Sequence, residues 1–287
     1  MISATETRSG KGHTDENFPV ASRLIQKQYR APILAFYDFV RAADDVADHA
    51  TLTPDEKVAT LDALDTALTG QGPTDPEAEP LRRRLAEREL SPRHARDLLD
   101  AFRLDARKNR YADLDELMDY CALSAMPVGR FVLDVHGEDP QRTWAASDAI
   151  CAALQIINHL QDCGKDFRAL DRVYLPADVM ARHGAVIEDL GAERASPALR
   201  AVIADLARTC ENLLEEGRPL LHSIRNTRLA LEIAAIHRLA LVLAKGLQHR
   251  DPLSEKVHFS KVGFAATTLA SAAAMLLRRG FSARGTA

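Results

Sequence analysis

The chain has 287 residues, 46% of them hydrophobic, which is enough to bury a substantial core and excludes disorder over most of its length. Its formal net charge of −4, with Lys and Arg scattered along it, argues against a nucleic-acid partner, which wants a basic face. Four cysteines (Cys121, Cys151, Cys163 and Cys210) form no C-x-x-C pair and sit among apolar residues, which fits a reduced, cytoplasmic compartment better than a disulfide framework.

Residues 1–15 are polar and lack the apolar run of a signal peptide; they read, with 281–287, as flexible termini around one domain over 16–280. A first helix is predicted from Pro32 to His49, and Thr53-Pro54-Asp55-Glu56 has the form of a cap that opens the next. Gly70–Pro80 holds two Gly and three Pro and reads as a loop. Further helices are predicted over 81–89, 92–108, 113–136, 143–166, 197–217, 225–249 and 258–278, with Ser91-Pro92 and Ser196-Pro197 at N-cap and first-turn positions. No alternating run bounded by hairpin turns occurs, so the predicted class is all-α. The apolar stretch Val262–Leu277 is 16 residues long and contains Thr267, Thr268 and Ser271, which is short for a membrane span and leaves room for a peripheral membrane contact.

Tyr37, Arg41, Asp44 and Asp48 are spaced four, three and four apart and fall within an arc of about 60° on the first helix. Ile33, Phe36, Val40, Ala43 and Ala47 form the adjoining apolar stripe, so the carboxylates border the buried face. The helix over 143–166 repeats the arrangement: Gln155, Asn158, Asp162 and Asp166 span roughly 80°. Almost everything around them is apolar or small, and a helix apolar nearly all round is buried. One acidic pair at i, i+4 is usually a solvated face. Two such helices, each with carboxylates at an apolar border, point instead to a cavity. Magnesium takes one or two carboxylates together with substrate phosphate oxygens, and two facing stripes around a diphosphate supply those ligands.

These residues resemble a known family. Phe36-Tyr37-x-Phe39-x-Arg41-x-x-Asp44-Asp45-Val46-Ala47-Asp48 resembles the first aspartate-rich motif of squalene and phytoene synthases. Asn158-x-x-x-Asp162-x-x-x-Asp166, followed by Arg172-Val173-Tyr174-Leu175-Pro176, resembles the second. Between them, Tyr120-Cys121-x-x-Ser124-Ala125-x-Pro127-Val128-Gly129 resembles the family's tyrosine–cysteine helix. The resemblance implies an isoprenoid synthase fold, a helical bundle around a central active-site cavity, with magnesium and an isoprenoid diphosphate between the motifs. It implies metal binding by Asp44, Asp48, Asp162 and Asp166 with Asn158 assisting, and diphosphate contacts from Arg41, Tyr37, Tyr174, Arg172 and Asn17. Gln155 would face the reacting carbons. Pathway enzymes of squalene synthesis are the protein partners that the resemblance allows. Pro127 inside a helical pattern predicts a kink, and Gly129 a close approach of backbone or substrate, with simple helix packing as the alternative for both.

Two departures narrow the resemblance. The family's usual Arg before the second motif is Gln161 here, and the usual acidic residue before its last Asp is Lys165. The run Asn158–Asp166, together with Glu16–Ser22, resembles the hydroxysqualene synthases, a bacterial branch of the family that opens presqualene diphosphate with water. The alternative within the family is a synthase that condenses two prenyl diphosphates; outside enzymology, it is a binding protein that keeps the fold. Gln155, Asn158, His159 and Gln161 are the polar candidates to hold water. His159 reads first as a hydrogen-bonded core histidine. Asp105, Lys108 and Tyr111 resemble a family segment near the diphosphate, although Arg103–Arg110 equally fits an exposed charged face.

Overall fold

The computed structural model describes residues 4–8 and 25–257. The expected helix over 258–278 and Asn17 lie outside the described residues. Within them the fold is all-α, with eleven α-helices, two short 3-10 helices (Ala4–Thr7 and Ile187–Gly191) and no strand; a single parallel bridge joins Arg110 and Val173.

Helix α1 (Lys27–Ala47) starts five residues before Pro32, which sits inside the helix. Ile33, Phe36, Ala43 and Ala47 of its apolar stripe are buried and Val40 is half-buried, and Phe36 stacks on Phe131 with ring centroids 4.0 Å apart. Helix α2 (Pro54–Leu68) opens with a complete capping box. Thr53 Oγ1 accepts from the Glu56 amide at 3.3 Å, and the Thr53 amide donates to Glu56 at 2.8 Å. Helices α3 (Glu79–Glu87) and α4 (Arg93–Asp105) complete the first half and pack on α1, with Leu81, Leu99 and Phe102 among the residues buried there.

The predicted helix over 113–136 is two helices, α5 (Leu114–Ser124) and α6 (Met126–Val135), divided at Ala125 with φ −129° and ψ −46°. Pro127 lies in the first turn of α6, where its missing N–H costs nothing, so the break falls just ahead of the proline instead of at it. Gly129 then presses α6 onto the next helix: a Cβ there would lie 2.4 Å from Ser147 Oγ and 2.6 Å from Cys151 Sγ.

Helix α7 (Pro140–Leu170) has 31 residues, a rod of about 46 Å at 1.5 Å per residue. Ala152, Ala153, Ile156, Ile157 and Leu160 are buried along it. After α7 the chain passes through Arg172–Tyr174, whose Val173 amide donates to Asn109 O at 2.9 Å, into the short α8 (Ala177–His183). Ser196 caps α9 (Pro197–Gly217) by accepting from the Leu199 amide at 3.1 Å, as its position predicts. Gly217 lets α9 meet α7: a Cβ there would stand 2.3 Å from Ile150 Cγ1 and 2.9 Å from Ala146 O. Helices α10 (Leu220–Ser223) and α11 (Thr227–Leu247) close the second half. The core thus has two bodies, one around α1–α4 and one around α5, α7, α9 and α11, with Phe131 and Val135 of α6 on the first. Among the described residues no helix is long and apolar enough to cross a membrane.

Candidate active site

Between the two core bodies lies a cavity of about 930 Å³, in the upper range for small-molecule sites. Tyr37, Arg41, Asp44 and Asp48 of α1 line it, and so do Gln155, Asn158, Asp162 and Asp166 of α7 and Arg172 and Tyr174 beyond. The described residues of the two acidic stripes, with Arg172 and Tyr174, therefore reach one space. The two stripes converge because α1 and α7 each bury their apolar arc and turn the bordering polar arc inward.

On α1, Arg41 is held by the buried Asp45 through Nη2 at 2.8 Å and reaches Asp44 through Nη1 at 2.9 Å. Burial, then the neighbouring Asp48, pushes the Asp44 carboxyl up to about 7, with Arg41 opposing. About a third of the Asp44 side chain remains open to the cavity, so water there moderates the shift. Asp48 takes a 2.5 Å contact from Arg172. The Arg172 guanidinium is buried and also donates to Ala47 O at 3.1 Å and Asp105 O at 3.2 Å, which ties it to the end of α1 and of α4.

Below these groups Asp105 accepts from the hydroxyls of Tyr120 and Tyr174, each at 2.8 Å. Burial pushes this carboxyl upward, restrained by Arg172 and the two phenols. The Tyr174 hydroxyl is thus engaged with Asp105, and its ring stacks on His159 at 3.6 Å. The two possibilities for residues 103–111 divide. Asp105 faces the cavity, whereas Arg103 and Arg107 face outward in ion pairs with Asp62 and Asp55. Lys108 pairs with Glu116 and lies 4.8 Å over the buried Tyr111 ring.

On α7, Lys165 reaches Asp162 at 3.2 Å. Gln155 Nε2 lies 3.0 Å from His159 Nε2, and His159 Nδ1 lies 4.0 Å from Asp166. Read with the amide donating, the imidazole carries its proton on Nδ1, on the Asp166 side. His159 is therefore a wall of the cavity and not a residue of the closed core. Gln161 is the reverse case: it is buried, donates to Val257 O and does not line the cavity. It is withdrawn as a water-holding group, and its angular position, about 120° from Gln155, already carried that information.

Sequence reasoning missed Glu232. This residue of α11 is 3% exposed and lines the cavity among Leu229, Ile233 and Ile236. Its only signal was one acid within an apolar helical run.

Among the described residues, no three His, Cys, Asp or Glu side chains converge to hold a metal by themselves. The donor set nevertheless fits magnesium shared with a diphosphate. Among the described residues, Asp44, Asp48, Asp105, Asp162 and Asp166 face Arg41, Lys165 and Arg172 as the only lining Lys or Arg side chains. A diphosphate entering that end adds further negative charge, which divalent cations bound between carboxylate and phosphate oxygens would balance.

The squalene/phytoene synthase family profile matches residues 11–262. The hydroxysqualene synthase of Rhodopseudomonas palustris is 55% identical over 98% of this chain and 96% of its own length. That of Sinorhizobium fredii is 50% identical over 100% and 97%. Among solved structures, a squalene synthase HpnC from Alicyclobacillus acidocaldarius superposes with a TM-score of 0.72 at 32% identity, covering 84% of this chain and 90% of that one. A dehydrosqualene synthase, 23% identical, shares the fold with a TM-score of 0.78 over 91% and 92%. The sequence motifs, the helical cavity they line and these matches together place the chain in the squalene/phytoene synthase family.

Proposed function

We propose that the chain is a hydroxysqualene synthase that ionises presqualene diphosphate, lets the cation rearrange, and captures it with water to release hydroxysqualene and diphosphate. The observation that carries this reading is a single cavity with two carboxylate pairs at one end and an apolar wall beyond, in a chain half identical to hydroxysqualene synthases along nearly its whole length.

The diphosphate occupies the aspartate end. Asp44, Asp48, Asp162 and Asp166, with Asn158, would hold magnesium there, and the ion when bound supplies charge neutralisation of the leaving group. Arg41 and Lys165, each already paired with an aspartate, present cationic nitrogens to the same end and bind diphosphate oxygens. Tyr37 on α1 orients the leaving oxygen from the side. Arg172 acts through Asp48, fixing its carboxylate while spanning α1 and α4. The Tyr120–Asp105–Tyr174 cluster sets the ring against which His159 stacks. Apolar residues such as Ile33, Phe36, Val128 and Leu154 enclose the prenyl chains and exclude bulk water, so the cation outlives its rearrangement. Gln155 faces the reacting carbons from α7.

The test is incubation of the pure protein with magnesium and either presqualene diphosphate or farnesyl diphosphate, in ¹⁸O-water without nicotinamide. Presqualene diphosphate is consumed and the alcohol carries the heavy oxygen; farnesyl diphosphate alone gives no thirty-carbon product. Formation of presqualene diphosphate from farnesyl diphosphate would move the chain to the condensing branch of the family. An unlabelled alcohol would mark simple phosphatase action.

A further inference from the structure

A water that captures a cation must be held inside a cavity that otherwise excludes water, and its proton must go somewhere. Glu232 is the only carboxylate lining the cavity away from the aspartate end, among the described residues. Its level along the bundle follows from neighbouring contacts. The Asn226 amide, at the start of α11, donates to Glu138 just before α7, and His237 of α11 reaches Leu214 O of α9. Gly217 of α9 in turn packs on Ala146 and Ile150. Glu232 thus stands near the Ala146 level of α7, about nine residues before Gln155, an axial offset of roughly 13 Å. The metal-binding aspartates lie much further along α7.

A second observation marks the same level. Ser124 lines the cavity, and its buried Oγ has no hydrogen-bond partner among the described residues. It lies on the chain five residues before Gly129, which packs on Ser147 and Cys151. A buried hydroxyl without a protein partner is the ordinary place for an ordered water.

We propose that Glu232 is the catalytic base of the capture step, holding the attacking water beyond the diphosphate end and taking its proton. The inference rests on the functional reading above. The C–O bond to diphosphate breaks with its electron pair leaving on the phosphate oxygen, and the cation rearranges. A water lone pair then forms the new C–O bond, one O–H bond breaks, and the proton passes to the Glu232 carboxylate, which returns it to solvent when product leaves. Placing the water at the end opposite the leaving group also keeps diphosphate from recapturing the cation.

The experiment compares wild type, Glu232→Gln and Glu232→Asp, each checked for a cooperative thermal melt, with magnesium and presqualene diphosphate. Diphosphate release and the thirty-carbon products are measured separately. In Glu232→Gln, diphosphate release stays within a few-fold of wild type. The hydroxysqualene share of product falls on the order of 100-fold, replaced by hydrocarbons that lose a proton instead of gaining hydroxyl. Glu232→Asp recovers part of that share. An unchanged share in Glu232→Gln, a parallel fall of release and alcohol, or failure of both variants to fold would each overturn the proposal while leaving the wild-type activity intact. Wild type that makes no hydroxysqualene from presqualene diphosphate would overturn the functional reading and this role with it.

Discussion

The two acidic helices carry the same spacing and solve the same electrostatic problem differently. On α1 the carboxylates are compensated from within the fold: Arg41 is pinned by buried Asp45, and Arg172 is buried against two backbone carbonyls as well as Asp48. On α7 the partner of Asp162 is Lys165, a flexible side chain that is 65% exposed. One stripe is a fixed half of the clamp, and the other is set by solvent and by what binds. A diphosphate site gains from that asymmetry, because the rigid half positions the substrate and the looser half admits and releases it.

The largest effect tests whether the halves act together. Asp44→Asn and Asp162→Asn should each lower diphosphate release on the order of 100- to 1000-fold, and EDTA should abolish it. The double variant should fall little further than either single, since both remove one shared function. Simple multiplication of the two losses would break the picture of a single clamp.

The next effect separates the helices by stability. Arg172→Met leaves Asp48 and two buried carbonyls without their donor and should cost about 2–4 kcal/mol in denaturant unfolding. Equal costs for Arg172→Met and a surface arginine variant would show that α1 is not braced in this way.

A third effect is pH. The Asp44 carboxyl is raised to about 7 in the folded, metal-free protein from an ordinary 3.8, so between those values the folded state binds more protons than the unfolded. Its contribution to stability is therefore lost as pH rises from about 4 through 7. Metal-free protein should melt lower at pH 8 than at pH 5.5 from this source, Asp44→Asn should flatten the difference, and magnesium should raise the melting temperature most at pH 8. A metal-free melting difference unaltered by Asp44→Asn would remove Asp44 as its origin. The smallest effect is Lys165→Met, expected within about 0.5 kcal/mol of wild type because its ion pair is solvated.

Much of this was legible in the chain because helices advertise their period. The four-and-three spacing of Tyr37, Arg41, Asp44 and Asp48 needed no tertiary information, nor did the Thr53 and Ser196 caps, whose bonds are local. What escaped depended on distant contacts. The break at Ala125 sits where Gly129 must dock on Ser147 and Cys151, a constraint twenty residues away that no local propensity encodes. Helix α8 has seven residues, too few for a periodic signal. Arg172 and Tyr174 were found by motif, yet their partner Asp105 belongs to α4, and only the fold joins them. Glu232 is the plainest case. One acid in Leu-Ala-Leu-Glu-Ile-Ala-Ala-Ile says that something polar is buried there but not which cavity it faces.

Gly129 and Gly217 grip α7 from two neighbours at nearly one station, within Ala146–Cys151. A rod keyed at one point can be reworked elsewhere without sliding. Substitutions that widen or narrow the apolar wall on α1 or α11 leave the acidic stripe at its own height. A change there can then alter the fate of the cation while the machinery of ionisation stays in place, whereas a side chain at either glycine would push a neighbouring helix off the rod.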